Sequence, residues 1–253
     1  MSASPRFLRH DGGVRHATLL LALLVTALLA SAPATEVAQS TRRSASISLE
    51  TSTSERTLDR AAGYRSIVSK LPKAVRERMI GSSWRPGCPV KLRDLRLVRL
   101  THWNFKGERT WGKLVVHRWF AKKLAGVFER LYDGRFKIRR MHLVDRYGAD
   151  DMRSMKADNT SAFNCRYRDG VCCTWSMHAY GKALDINPVE NPYVGSWGVS
   201  PPNGAGYVDR STKRKGMIFH GDRVWKAFRS IGWEWGGDWG WPVDYQHFSV
   251  NGR

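Results

Sequence analysis

The stretch SMHAYGKALDINP, residues 176–188, sets His178 and Asp185 seven positions apart, with Gly181 between them and Pro188 behind. An imidazole and a carboxylate that share one metal ion must bring their tips within a few ångströms of each other, because metal–ligand bonds are only about 2 Å long. On a straight strand the two residues would stand about 23 Å apart on opposite faces. On a helix they would be two turns, about 10 Å, apart. Neither regular element allows a shared ion. The backbone must double back between them, and Gly181 can do so at little steric cost. Asp185 then falls in LDIN, a short strand-like run that Pro188 ends.

A zinc site built for hydrolysis takes a third protein ligand and a nearby base, with one position left open. The segment WGGDWGWPVDYQHFSV, residues 235–250, offers both, since Asp244 and His247 lie three apart just after Pro242. In this reading His247 ligates the metal and Asp244 takes a proton from the attacking water. Single residues of these types are ordinary. His102, His117, His142 and His220 read as hydrogen-bonded core or surface histidines, and Trp233, Trp235, Trp239 and Trp241 as core packing or a sugar-stacking surface.

The flanking text bounds where such a site would work. Residues 1–34 carry Arg6, Arg9 and Arg15, then the apolar run ATLLLALLVTALLASA, then small residues at Ala30, Ala32 and Ala34. That order reads as a secretory signal peptide, since the apolar run is short of the roughly 20 residues a spanning helix needs, with an uncleaved anchor as the alternative. The expected mature chain is extracellular, with no stable membrane insertion after the signal is removed. Of 42 basic and 22 acidic residues, this segment holds three and one, so the remainder is still +18. Such an excess favours polyanions, which outside a cell means anionic wall polymers or headgroups. Residues 35–60 are rich in Ser, Thr and charge and nearly lack aromatics, which predicts a flexible linker. Cysteines stand at 88, 165, 172 and 173, and export permits disulfides. Three pairings are open. A bond between the adjacent Cys172 and Cys173 would close a strained ring, so Cys88 with Cys165 is favoured and the neighbouring pair is left unassigned. The spacing is not that of a cysteine zinc site.

No internal repeat interrupts residues 61–253, which predicts one domain there. IVSKLPKAVRERMIG reads as a short helix interrupted near Pro72 and closed by Gly81. LRLVRLTHWNF and GKLVVHRWF alternate apolar and polar residues, as strands around a turn at Gly107. RWFAKKLAGVFERLYDG places Phe120, Leu124, Val127, Phe128 and Leu131 on one helical face and stops at Gly134. FKIRRMHLV reads as a further strand. A last helix is expected from an Asp222 cap through Val224, Trp225 and Phe228 to Gly232. Strands cluster and helices do not interleave with them, which indicates α+β rather than a parallel βαβ fold.

Together, SMHAYGKALDI and, about sixty residues on, DYQHF resemble the M15 family of zinc peptidases. That is the D-alanyl-D-alanine carboxypeptidase and L-alanyl-D-glutamate endopeptidase group, which cuts peptidoglycan stem peptides. The likeness runs from about Met141 to Ser249, through NTSAFNCR and WGGDW, and is faint before that. It implies a single compact α+β domain of the Hedgehog/DD-peptidase type, with an antiparallel sheet flanked by helices. It further implies one Zn2+ per chain held by His178, Asp185 and His247, Asp244 as the acidic base, and Ser176 as a substrate contact. An upstream arginine is expected to grip the substrate carboxylate in a bidentate pair. SAFNCR has Asn164 where related sequences often show arginine, so Arg166 is the candidate, with Arg140 and Arg168 behind it. Cys172 and Cys173 also depart from the family pattern, which implies a rebuilt loop before the motif.

The leading expectation is therefore a secreted or wall-associated bacterial zinc peptidase, acting as a monomer on peptidoglycan stem peptides. A non-catalytic wall-binding module of the same fold is the alternative. A nucleic-acid binder or nuclease ranks below both, since no nucleic-acid-binding motif accompanies the charge. The residues do not decide which stem-peptide bond is cut.

Overall fold

The computed structural model describes residues 63–168 and 173–252, all of them within one unit, Arg56–Arg253. The expected signal segment, the linker and Cys172 lie outside the described residues.

An antiparallel sheet forms from β1 (Ser66–Lys70), β2 (Leu95–Trp103) and β3 (Arg109–His117), in that order. The β2–β3 hairpin turns at Gly107, whose φ of +81° suits glycine, and the Asn104 side chain accepts from the amides of Lys106 and Glu108. Strand alternation splits the apolar residues between two faces. Val98, Leu100, Leu114 and Val116 meet α2 (Ala121–Asp133) through Leu124, Val127, Phe128 and Leu131. Leu95, Leu97 and Val115 face a smaller cluster with Met79, Phe163 and Cys165. The Cys88–Cys165 disulfide closes that second cluster.

Two smaller sheets follow. One orders β4 (Ala183–Asp185), β9 (His247–Ser249) and β7 (Glu234–Trp235); the other orders β6 (Gly198–Ser200), β5 (Tyr193–Gly195) and β8 (Val243–Asp244). All pairings are antiparallel. Helix α3 (Asp151–Lys156) is capped by Asp150, and α4 (Arg223–Arg229) by Asp222, each through its side chain to the N3 amide. The class is α+β, built on three small sheets rather than one. Among the described residues no helix is long and apolar enough to cross a membrane.

Two expected elements differ. Residues 66–70 form strand β1 rather than part of a helix, because they pair along the edge of β2; the helix, α1 (Lys73–Met79), starts only after Pro72. FKIRRMHLV makes no strand. It touches its neighbours by isolated bridges at Lys137 and Arg140, and side-chain amides bond several of its other backbone groups. Asn187 Oδ1 accepts from Arg139 N and Asn187 Nδ2 donates to Lys137 O, while Asn159 Oδ1 accepts from His142 N. These bonds meet the demand of buried backbone groups without a ladder.

Candidate metal centre

His178 lies in the 3-10 turn Met177–Tyr180, which Ser176 caps by accepting from His178 N through Oγ at 3.3 Å. Gly181 ends the turn in the left-handed region, with φ +65°. A Cβ there would stand 2.7 Å from His117 N, which itself donates to Gly181 O at 2.8 Å. Both conformation and space therefore require glycine at the point where the chain doubles back. Asp185 follows on β4 and pairs directly with His247 on β9. The neighbouring pair is Leu184 with Phe248. Alternation sends Leu184 and Phe248 into the core and turns Asp185 and His247 to the other face, toward His178.

The three side chains converge. His178 Nε2 is 3.2 Å from Asp185 Oδ2 and 3.3 Å from His247 Nδ1, and His247 Nδ1 is 3.1 Å from Asp185 Oδ1. All three residues are buried, and their ligand atoms lie within 4.8 Å of one another, a group able to hold a metal ion. Tetrahedral ligands at zinc bond lengths of 2.0–2.1 Å stand about 3.3 Å apart. The His178 Nε2–His247 Nδ1 separation matches that spacing, the carboxylate meets the two rings through its two different oxygens, and two imidazoles with one carboxylate suit zinc chemically. His178 Nδ1 lies 2.5 Å from Ala162 O, which sets the ring so that Nε2 faces the centre. Burial alone would lower the His178 pKa, but the adjoining Asp185 carboxylate more than offsets this and raises it. Against its own burial, Asp185 is held well below the carboxylate range by His178 and His247.

Asp244 sits on β8, opposite Tyr193 of β5. Its Oδ1 is buried without a hydrogen-bond partner. Burial pushes its pKa up to about 7; the Asp185 charge adds to this, while His247, His178 and Arg166 pull the other way. Gly236, in the short turn Gly236–Asp238, makes room for it: a Cβ there would meet Asp244 O at 2.5 Å and Asp244 Cβ at 2.8 Å. A carboxyl whose pKa is raised to about 7, beside a group that could hold a metal ion, is suited to receive and return protons.

The other expected contacts are placed as follows. Arg166 reaches the same electrostatic neighbourhood and pairs with Asp151 of α3, Nη2 to Oδ2 at 2.8 Å. Ser176 is buried and its hydroxyl serves the His178 turn. Asn164 donates to Ala149 O, and its amide bonds His178 O. Arg140 lies on the edge and bonds Ala157 O, and Arg168 pairs its backbone with Thr174. Sequence reasoning missed Asp151, the Ala162 carbonyl and Gly236. Only Gly236 left a sign, in the WGGDW doublet. Trp233 and Trp235 are core, Trp239 is half-buried beside His247, and Trp241 is exposed.

A peptidase M15 family model described as D-alanyl-D-alanine carboxypeptidase matches residues 172–250, a stretch that holds all three members of the triangle and Asp244. No curated protein and no solved structure matches the chain.

Proposed function

Taking the chain as a member of the M15 peptidase family, which the match over residues 172–250 supports, we propose that it is an exported, zinc-dependent hydrolase of peptidoglycan stem peptides. The bond cut is of the D-alanyl-D-alanine carboxypeptidase or L-alanyl-D-glutamate endopeptidase kind. The observation that carries the reading is the buried cluster of His178, Asp185 and His247, with side-chain contacts of 3.1–3.3 Å among them and Asp244, its pKa raised by burial, beside it.

In this reading His178, Asp185 and His247 hold one zinc ion, within a domain of Hedgehog/DD-peptidase type. Zinc, when bound there, would polarise a carbonyl and lower the pKa of water toward about 7, making a nucleophile near neutral pH. Asp244 takes the proton from the attacking water on its carboxylate and returns it to the leaving amine. Its pKa near 7 suits both directions of transfer. Ala162 O keeps the His178 ring oriented, and the Ser176 cap and Gly181 keep its backbone in place. Arg166 faces the substrate carboxylate, steadied by Asp151. Ser176 lines the same side. The apolar N-terminal segment directs export, the disulfide suits an oxidising compartment, and the working protein is a monomer.

The test is metal analysis of the purified chain together with mass spectrometry of defined muropeptides, with and without chelator. One zinc per chain and chelator-sensitive release of a stem-peptide fragment are expected. Asp244→Asn should keep the metal and lose about 10²-fold or more in turnover. A fully active Asp244→Asn enzyme removes Asp244 from the role, and zinc with no turnover on any stem peptide favours a wall-binding module instead.

A further inference from the structure

Away from the metal centre, two clefts of about 520 and 340 Å³ adjoin between the end of α2 and the start of α4, sharing Lys213, Asp222 and Arg223. Arg135, Lys137, Lys213, Lys215, Arg223 and Lys226 line them, and the one acidic lining residue is Asp222. That carboxylate is already committed to backbone amides, Trp225 N at 2.9 Å and Phe219 N at 3.0 Å. Among the described residues, none of the six cations has an ion-pair partner. Aromatic rings hold four of them instead. Arg135 and Lys137 lie 4.9 and 5.1 Å from the Trp103 ring, Lys213 lies 5.5 Å from Phe219, and Lys215 lies 6.0 Å from Phe105. A ring face orients a cation and leaves its charge intact, whereas a carboxylate would cancel it. The Lys137 pKa is lowered by burial and by the charges of Arg135 and Lys215, the mark of crowded like charge. Protein surfaces ordinarily intersperse the two signs, so a face of this kind is a site for a polyanion.

The shape and chemistry narrow the class. The recessed, joined clefts suit a thin chain rather than a flat bilayer. The rings beneath are covered by cations, so they offer no platform for stacked bases. Six unneutralised cations along one run call for several phosphates in series. We propose that this face is a docking groove for a linear phosphodiester polymer whose repeat carries no base. It rests on the peptidase reading only for the extracellular setting in which such a polymer is met. The groove is tied to the metal strand: Asn187, two residues past Asp185, donates through Nδ2 to Lys137 O at 2.8 Å and to Gly216 O at 3.1 Å. A docked polymer would therefore hold the metal centre at a fixed offset from the polymer's own anchoring point.

The test uses the full chain and three probes: a poly(glycerol phosphate) oligomer, single-stranded DNA with the same number of phosphates, and phosphatidylglycerol vesicles. Two triple variants of equal charge change are compared. Arg135→Gln/Lys213→Gln/Lys215→Gln alters exposed positions of the groove, and Lys70→Gln/Lys73→Gln/Arg76→Gln alters a different cleft. The groove variant should bind the oligomer about 100-fold more weakly at low salt, with the slope of log K against log salt reduced by about 2. The second variant should stay within about threefold of the parent. Equal losses in both triples would make the attraction a net-charge effect and overturn the groove. Tighter binding to DNA or to vesicles than to the oligomer would overturn the choice of polymer. Turnover of a soluble muropeptide, measured in parallel, should be unchanged in both variants. Its absence in the parent chain would count against the peptidase reading alone, since the groove is judged by binding.

Discussion

One added methyl group at Gly236 tests whether Asp244, the proposed proton carrier, can be displaced without touching the proposed metal ligands. The Cβ of Gly236→Ala would lie 2.5 Å from Asp244 O, where ordinary contact begins at 3.4 Å, so the two backbones must part by about 0.9 Å. The side that yields is β8, which pairs with β5 over only Val243 and Asp244, whereas Gly236 follows the buried Trp235. A displacement near 1 Å at a reacting group costs about 10² in rate, equivalent to about 2.7 kcal/mol. Overpacking should also lower stability by about 1–3 kcal/mol. The assay is kcat/KM on a defined muropeptide, with zinc stoichiometry and Tm on the same sample. Gly240→Ala is the control, because a Cβ there has nothing within 4 Å. Gly236→Ala should keep its zinc and lose turnover. Retention of turnover within twofold would refute the placement of Asp244 as proton carrier, and parallel loss of zinc would refute its independence from the ligands.

Three further outcomes are expected. Glu190 is fully buried and accepts from Arg139, and its pKa is raised from 4.5 to about 8 by burial and by the neighbouring Asp158 carboxylate. The folded protein keeps a proton that the unfolded chain gives up across that range, so this contribution is full below 4.5 and is lost as pH rises through 8; urea midpoints from pH 5 to 8.5 should fall in the parent and flatten in Glu190→Gln. Replacing Cys88 and Cys165, 77 residues apart, with serine should cost about 4 kcal/mol in denaturant unfolding by loop-closure entropy, with a metal content like the parent's. Chelation should lower Tm, by about 2.7 kcal/mol of stability from a state with metal at 100 times its Kd, and metal affinity should weaken in acid because Asp185 favours the protonated form of His178; a Tm indifferent to chelator would speak against a bound ion.

Much of the molecule could be read from its residues where a period was long enough to see. The nine-residue strands β2 and β3 and the thirteen-residue α2 show clear alternation or a helical stripe, and Asp222 caps α4 as expected. Convergence of His178 and Asp185 was expected on the condition that they share an ion, since no regular element joins them, and the turn at Gly181 provides it. Elsewhere the deciding partner is remote. Strands of two or three residues, such as β7, β8 and β9, carry no visible period. Residues 66–70 became a strand because β2 had an open edge, and the run through Ile138 lost its ladder to amides on Asn159 and Asn187. Asp151 could not be assigned to Arg166 from sequence, because the pair forms only when α3 is docked beside the loop that carries Arg166.

Two of the small sheets divide the residues of the proposed centre between them. Asp185 and His247 share one rung of the β4–β9 pair, while Asp244 belongs to the sheet that carries the Tyr193–Ser200 hairpin. Grip and reactivity therefore sit on separate supports. If the proposed function holds, changes in the hairpin would retune or silence turnover through Asp244 while leaving the Asp185–His247 rung, and with it metal binding, in place.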